Sequence, residues 1–255
     1  MKLLASDFDG TFFFRNKKMF MENISAASVF QKKNIFAIVT GRDAASVLSH
    51  FEDTDFRPDY LAVYNGGRIL DSKGKVLYDD PLKIDLDRLY DVLMKEGVSQ
   101  ISILSLTKVF HKSFHFNIHD WLFKLHHRSL YRCHVKDYHE IDDDIYMCSI
   151  SCGSEEKALL LSEKLKEMKL GCSVYVNKSF IDIVGEHASK EHAVEIIAMH
   201  TEADEVFVIG DSYNDVGMLR QFQSYTVQSA TEAIQKEADH VVDSVKAAIA
   251  DIQAR

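Results

Sequence analysis

The sequence predicts an α/β fold, a doubly wound parallel sheet with a smaller inserted α+β domain. Apolar strands alternate with amphipathic helices at both ends of the 255-residue chain, which is typical of a parallel sheet covered by helices. The strands between them alternate apolar and polar residues, which favours antiparallel pairing. We expect one domain from residues 1–81 and 186–255, and an inserted domain from residues 82–185.

The elements of the first segment follow from its apolar runs and turn signals. We expect three strands, two helices and one hairpin, in the order strand Lys2–Ser6, helix near Asn23–Lys33, strand Ile35–Val39, helix Asp43–Phe51, strand Tyr60–Tyr64 and hairpin at Ser72–Lys75. Asn65-Gly66-Gly67 is a strong turn signal after the third of these strands.

The middle segment mixes helices with alternating strands. We expect helices at Asp85–Glu96 and Ser154–Lys169, and strands at Gln100–Leu106, Val109–Phe116, Ile145–Ser151, Ser173–Asn177 and Phe180–Val184. The strand–helix alternation returns in the last segment, with helix Glu191–His200, strand Val206–Ile209 and helix Val216–Arg220.

Polar residues follow three of the apolar strands directly. They are Asp7 and Asp9, then Thr40 and Gly41, then the run from Asp211 to Asp215. Ligands of open α/β sheets bind beyond the carboxyl ends of the strands, so we expect these groups to meet at one edge.

The chemistry of these groups indicates phosphoryl transfer assisted by a metal ion. Asp7 and Asp211 would repel each other at close range, and Mg²⁺, which prefers oxygen ligands, would relieve that repulsion. A carboxylate such as Asp7 can attack phosphorus, and Asp9 is well placed for general acid and base work. Thr40 would donate to phosphoryl oxygens, and Lys190 is the best candidate for the neutralising cation.

Four motifs of the sequence resemble those of the haloacid dehalogenase (HAD) phosphatases. They are Asp7-Phe8-Asp9-Gly10-Thr11, Val39-Thr40-Gly41-Arg42, Ser189-Lys190 and Gly210-Asp211-Ser212-Tyr213-Asn214-Asp215. The Asn65-Gly66-Gly67 turn and an insertion of about 100 residues resemble the Cof-type branch, which carries a large α/β cap. The resemblance implies a Rossmann-like HAD core and a Mg²⁺-dependent hydrolase of small phosphomonoesters such as sugar phosphates.

The resemblance also implies a role for each matching residue. Asp7 would be the nucleophile and a metal ligand, and Asp9 the general acid and base, with its main-chain carbonyl on the metal. The remaining roles are phosphate binding and metal binding, with Thr40, Gly41, Lys190 and Asn214 on the phosphate and Asp211 and Asp215 on the metal. The chain departs from the family at Phe12–Asn16 and at Gln228–Ala230, which bears on substrate contacts and loop shape.

The inserted domain is expected to act as a specificity cap and is rich in histidine. His111, His115 and His119 lie four apart, yet no acid or Cys completes a convincing metal site, so a polar surface or contacts to an anionic substrate are favoured over a second metal. Four aromatic residues are expected to form cap core: Phe110, Phe114, Phe116 and Trp121.

Composition excludes several classes of protein. A formal net charge of −9 provides no broad positive field for nucleic acid or an anionic membrane. No apolar run is long enough for a transmembrane helix, and the first residues do not form a signal peptide. The four Cys are read as reduced thiols of a cytoplasmic protein.

Two other functions remain open besides the phosphatase. A phosphohexomutase of the phosphomannomutase type shares a similar core and cap, and would require a sugar bisphosphate activator. A non-catalytic phosphate sensor would also be phosphorylated on an Asp at a strand end, although such receivers lack the large cap, and an Asp at the Asp9 position would hydrolyse the aspartyl-phosphate quickly. The sequence leaves the physiological substrate and the oligomeric state open.

Overall fold

A computed structural model describes residues 1–114 and 133–255 of the chain. The described residues form two compact units, unit 1 from Met1–Asp79 with Ala188–Arg255, and unit 2 from Asp80–His187. The expected boundaries near 81 and 186 lie within about two residues of these bounds. The predicted fold class is confirmed, since unit 1 contains a mainly parallel sheet and unit 2 a mainly antiparallel one.

The strands of the described residues are β1 Lys2–Ser6, β2 Ile35–Val39, β3 Tyr60–Val63, β4 Arg68–Asp71, β5 Val76–Asp79, β6 Gln100–Ser105, β7 Lys108–Ser113, β8 Cys133–Val135, β9 Ile145–Ser151, β10 Ser173–Asn177, β11 Phe180–Val184, β12 Glu205–Gly210, β13 Gln223–Val227 and β14 His240–Val242. The helices of the same residues are α1 Lys17–Phe30, α2 Ala44–Leu48, α3 Leu86–Glu96, α4 Glu155–Glu167, α5 Lys190–Thr201, α6 Val216–Gln221, α7 Glu232–Gln235 and α8 Val245–Ala254.

The sheet of unit 1 has the strand order β14-β13-β12-β1-β2-β3-β4-β5. Neighbours are parallel from β14 through β3, whereas β4 and β5 are antiparallel additions at one edge. The strands that follow β1 first in the chain, β2 and β3, lie on one side of it, and β12 to β14 lie on the other. The sheet is therefore doubly wound, and its order reverses at β1, which is where open α/β sheets bind ligands. The predicted hairpin at Ser72–Lys75 is confirmed as the connection of β4 to β5.

The central strands of this sheet are buried on both faces. Leu3, Leu4 and Ala5 of β1 are fully buried, as expected for a parallel strand covered by helices. Packing contacts join α1 to α8 and α5 to α6. This rigid centre fixes the positions of the residues that follow β1, β2 and β12.

The sheet of unit 2 has the strand order β10-β11-β9-β6-β7-β8. Its neighbours are antiparallel, as predicted, except that β7 and β8 are parallel. Alternate residues of β6 and β9 form a core with apolar residues of α3 and α4. Phe110 lies in that core and Phe114 packs against it, as expected, whereas Phe116 and Trp121 lie outside the described residues.

The predicted start of the first helix is wrong by six residues, since α1 begins at Lys17 rather than near Asn23. The side chain of Asn16 accepts the N–H groups of Lys18 and Met19, an N-cap that satisfies free amides of the first turn. Asn23 is instead a buried helix residue, whose side chain donates to the carbonyl of Phe12 and accepts from the N–H of Lys246.

Five aromatic residues pack below the loop that follows β1. Phe8 stacks on Phe13 with ring centroids 5.4 Å apart, and Phe12 contacts Phe36 and Phe56 at 5.2 and 5.7 Å. The unusual Phe12-Phe13 pair after the first motif therefore anchors this loop in the core. Of the helices that the structure describes, none is both long and apolar enough to cross a membrane.

Candidate active site

The candidate site lies at the carboxyl ends of three adjacent strands of unit 1. Asp7 follows β1 and donates its N–H to Ile209 of β12 at 2.9 Å, and Thr40 follows β2 and donates its N–H to Ala62 of β3 at 2.9 Å. Asp211 follows β12 directly. The strand ladder therefore delivers all three polar segments to one edge, as the sequence predicted.

Three acids meet at this edge. One carboxylate oxygen each of Asp7, Asp211 and Asp215 lies within 4.8 Å of the others. Asp7 and Asp215 are buried, and Asp211 is half-buried. Burial raises the pKa of Asp7 well above its ordinary value, and the nearby charges of Asp215 and Asp211 add to the rise while Lys190 opposes it.

The other two acids are held in place by hydrogen bonds. Asp211 accepts the hydroxyl proton of Thr11 at 3.0 Å, and Asp215 accepts the N–H groups of Asp211 and Ser212 at 3.0 and 2.9 Å. Burial, followed by the charge of Asp215, raises the pKa of Asp211. The backbone of the loop after β12 therefore donates to the Asp215 side chain of the same loop, which fixes Asp211 and Asp215 relative to each other.

Lys190 supplies the positive charge inside this cluster. Its side chain is 1% exposed, and Nζ donates to Asp7 at 2.7 Å and to Asp215 at 2.6 Å. Burial by itself would lower the pKa of Lys190, but the charges of Asp215 and Asp7 outweigh it and the pKa is raised. Lys190 is therefore an ammonium ion, placed here by the first turn of α5 after the N-cap Ser189.

The donor set fits a hard divalent cation. Three carboxyl groups share one ammonium in a largely buried place, so a bound cation would relieve the repulsion between them. Oxygen ligands without Cys or His suit Mg²⁺ better than softer metals. Among residues 1–114 and 133–255, this is the one group of acids, His or Cys close enough to share an ion.

Asp9 stands apart from these acids. Its carboxylate oxygens accept from Nε and Nη2 of Arg42, each at 2.6 Å, and its side chain is 50% exposed. Arg42 is itself fixed, because its guanidinium lies 5.4 Å from the ring centre of Phe8 and donates to Ser46 at 3.2 Å. Asp9, the predicted general acid and base, is thus held at the rim of the site by a bidentate ion pair with Arg42.

Three predicted phosphate-binding residues meet the turn after β3. Thr40 is 2% exposed, and its carbonyl accepts the N–H of Asn65 at 2.8 Å. Asn214 donates its side-chain N–H to the Asn65 side chain at 3.1 Å. Gly41 also faces that side chain, since a Cβ at Gly41 would lie 3.2 Å from its Oδ1.

Sequence reasoning missed two residues of this site, Arg42 and Asn65. Both stood inside motifs that were singled out, but Arg42 was read only as part of a motif and Asn65 only as a turn residue. No signal in the sequence pairs Arg42 with Asp9, which lies 33 positions away. The contact depends on β1 and β2 being neighbours in the sheet.

The histidine cluster of the inserted segment is only partly within the described residues. His111 on β7 contacts Ser102 of β6 at 2.9 Å through Nδ1. His115 and His119 lie outside the described residues. The reading of these side chains as polar surface or as contacts to an anionic substrate stays a prediction.

Comparison with known proteins identifies the family. The family model described as haloacid dehalogenase-like hydrolase matches residues 4–252. The chain therefore belongs to the haloacid dehalogenase-like hydrolases, as its four motifs predicted, and to their Cof-type branch.

The relatives match over nearly the whole chain. An uncharacterized protein of Mycoplasma capricolum is 26% identical over 96% of this chain and 97% of its own. A haloacid dehalogenase-like hydrolase from B. subtilis superposes with a TM-score of 0.80 at 20% identity, covering 99% of both chains. The HAD subclass IIB sugar phosphatase BT4131 superposes with a TM-score of 0.78 at 18% identity, covering 100% of this chain and 98% of its own. Identities this low show a shared fold.

Proposed function

We propose that this hydrolase is a Mg²⁺-dependent phosphatase of small phosphorylated metabolites, such as sugar phosphates, that acts through an aspartyl-phosphate on Asp7. The observation that carries the proposal is the cluster of Asp7, Asp211 and Asp215, in which Lys190 bridges Asp7 and Asp215. This group combines a carboxylate nucleophile, a place for a cation and a fixed ammonium. The similarity in fold to a sugar phosphatase supports the substrate class.

In the first step the Asp7 carboxylate attacks phosphorus. Lys190 orients that carboxylate through the 2.7 Å contact and balances negative charge on the transferring group. The bond from phosphorus to the leaving oxygen breaks, and Asp9, protonated on one oxygen while Arg42 holds the other, gives its proton to the leaving oxygen. The leaving group departs as a neutral alcohol, and Asp7 carries the phosphoryl group.

In the second step Asp9 removes a proton from water, and the water oxygen attacks phosphorus. The bond from phosphorus to the Asp7 oxygen breaks, which regenerates the carboxylate and releases inorganic phosphate. Thr40, the N–H of Gly41 and Asn214 hold the phosphoryl oxygens during both steps. A magnesium ion held by Asp7, Asp211, Asp215 and the carbonyl of Asp9 would neutralise charge on the phosphoryl group.

The test is phosphate release from a panel of phosphomonoesters, with Mg²⁺ and with EDTA, by the wild type and by Asp7→Asn. We expect Mg²⁺-dependent turnover that falls by about 10³-fold or more in Asp7→Asn, because the nucleophile is gone. Asp243→Asn is the matched control, since Asp243 is an exposed acid of the same unit, and it should keep wild-type turnover.

Two results would count against the proposal. Equal phosphate release by Asp7→Asn and the wild type would remove Asp7 as nucleophile. No release from any compound by the folded protein with Mg²⁺ would favour the mutase, and sugar isomerisation activated by a sugar bisphosphate would then be measured. The ranking of kcat/KM across the panel would identify the substrate class.

A further inference from the structure

The turn at Tyr64–Gly67, directly after β3, has an unusual backbone. Tyr64 and Asn65 both have φ of +54°, and Gly66 has φ of +95°. Two successive residues with side chains in the left-handed region are rare, because each costs about 1–3 kcal/mol unless the surroundings hold it. All three residues are buried, so the turn is held by its neighbours rather than by solvent.

The neighbours that hold the turn belong to the second motif. The N–H of Tyr64 donates to the carbonyl of Arg42 at 3.1 Å, and the N–H of Asn65 donates to the carbonyl of Thr40 at 2.8 Å. These two hydrogen bonds hold the loop after β2 against the turn. Any movement of the turn would therefore move Thr40 and Gly41 with it.

The side chain of Asn65 joins that loop to the loop after β12. Asn65 is fully buried, and its carboxamide lies against Gly41, where a Cβ would come within 3.2 Å of Oδ1. The same Oδ1 accepts an N–H of Asn214 at 3.1 Å. A carboxamide has two N–H groups, so one N–H of Asn214 is fixed by Asn65 and the other is left to reach a ligand.

Gly66 makes the third connection, to the start of α5. A Cβ at Gly66 would lie 2.2 Å from the carbonyl oxygen of Ser189, a distance that no side chain tolerates. Ser189 caps the helix whose first residue is Lys190. The backbone of the turn therefore packs directly against the residue before the buried ammonium.

These contacts reach Thr40, Gly41 and Asn214 directly, and they reach Ser189, the residue before Lys190. We propose that Asn65 is a positioning residue that holds Gly41 and Asn214 at a fixed separation, so that their N–H groups bind the same phosphate. The inference rests on the proposed function, because it concerns the phosphate pocket of that site. It adds a residue that makes its contribution through Gly41 and Asn214 rather than by touching substrate.

The first test compares Asn65→Gly with Glu202→Gly in the full-length protein. Glycine accepts positive φ without strain, so Asn65→Gly removes the carboxamide and leaves the turn feasible. Glu202 has φ of +50° and is exposed at the far end of α5, which makes Glu202→Gly a control for the backbone change. The readouts are KM, kcat, the inhibition constant of inorganic phosphate, and the melting temperature with Mg²⁺.

We expect Asn65→Gly to raise the inhibition constant of phosphate and KM by about 3- to 10-fold, the value of a lost hydrogen bond. The melting temperature should stay near that of the wild type, and Glu202→Gly should leave all the kinetic values unchanged. In the Asn214→Ala background, Asn65→Gly should raise the inhibition constant by a smaller factor than in the wild type, because one of its two partners is already absent. Unchanged phosphate inhibition, or fully additive losses, would overturn the inference.

A second variant keeps the test decisive if Asn65→Gly does not fold. Gly41→Ala retains the backbone N–H but pushes a methyl group against the Asn65 carboxamide. It should also raise the inhibition constant of phosphate by about 3- to 10-fold in the natural background, because the methyl group displaces the Asn65 carboxamide from Gly41. An unchanged constant in the natural background would refute the positioning role.

The outcome also separates this inference from the proposed function. Wild-type turnover that Asp7→Asn abolishes, together with wild-type kinetics in Asn65→Gly, would leave the phosphatase intact and remove the role of Asn65. A wild type that neither hydrolyses phosphomonoesters nor is stabilised thermally by inorganic phosphate with Mg²⁺ would overturn both.

Discussion

Lys190→Met tests the electrostatic account of the site most directly. The side chain of Lys190 is 1% exposed and bridges Asp7 and Asp215, and methionine is of similar length without the charge. Its loss would leave three neighbouring carboxylates in a largely buried place with no cation. We therefore expect the variant to be destabilised in EDTA, where no metal ion can replace the ammonium.

The expected size follows from two estimates that agree. Each charge-assisted bond contributes about 1.5–3 kcal/mol, and Lys190 makes two. Removing one partner of a buried ion pair costs about 3–5 kcal/mol. For a protein of this size such a loss lowers Tm by about 6–20 °C. Thermal unfolding followed by circular dichroism at pH 7.5 measures it.

The pH dependence has a definite sign. The folded-state pKa of Asp7 is raised by burial, so its contribution to stability is full below the unfolded pKa, near 4, and is lost as pH rises through the folded pKa. Lys190 opposes that rise. In Lys190→Met the carboxyl groups must be protonated to remain buried. The loss of folding stability relative to the wild type should therefore be largest at pH 7–8 and smaller near pH 5.

The matched control is Lys246→Met. Lys246 pairs with Glu22 at 3.2 Å in the same unit, but its side chain is 56% exposed, and exposed pairs contribute about 0–1 kcal/mol. Added Mg²⁺ should restore part of the stability that Lys190→Met loses, and it should not change the stability of Lys246→Met relative to the wild type. A deficit below about 1 kcal/mol, or one that grows as pH falls, would refute the reasoning.

Two further predictions concern the edges of the site. Arg42→Gln removes the bidentate ion pair that holds Asp9, so kcat for alkyl phosphates should fall by about 10-fold or more. The fall in kcat should be smaller for p-nitrophenyl phosphate, whose leaving group needs no proton. Equal falls in kcat for the two kinds of substrate would contradict this prediction. Gly10→Ala places a Cβ 2.7 Å from Asp211 and should weaken activation by Mg²⁺ by about 10–100-fold, whereas Gly74→Ala, at a similar φ in open space, should not.

The fold was largely predictable because its signals are local. Each buried strand is a short apolar run, and in a parallel sheet the residues after such runs share an edge. Asp7 and Asp211 are 204 positions apart in the chain, yet the strand pattern alone predicts that they lie together. The residue types then indicated a hard cation.

Elements with weak local patterns were misjudged. The start of α1 depends on the Asn16 cap, which lies seven residues before Asn23, where the apolar periodicity becomes clear. Strand β13 was not predicted, because Gln223, Ser224 and Thr226 obscure its apolar character. In the structure the hydroxyl of Ser224 donates to Asp239 and that of Thr226 donates to the carbonyl of Gly210. Partners from distant segments therefore satisfy polar side chains that are more typical of a loop than of a strand.

The sequence by itself determined the class of fold, the residues that could carry phosphoryl transfer and the edge of the sheet where they would meet. Only the tertiary structure decided which of them touch. Lys190 bridges Asp7 and Asp215, Arg42 holds Asp9, and Asn65 lies between Gly41 and Asn214. Apolar periodicity specifies which residues are buried along a strand or helix, but hydrogen bonds and ion pairs depend on distances of a few ångströms, which the packing of distant segments sets.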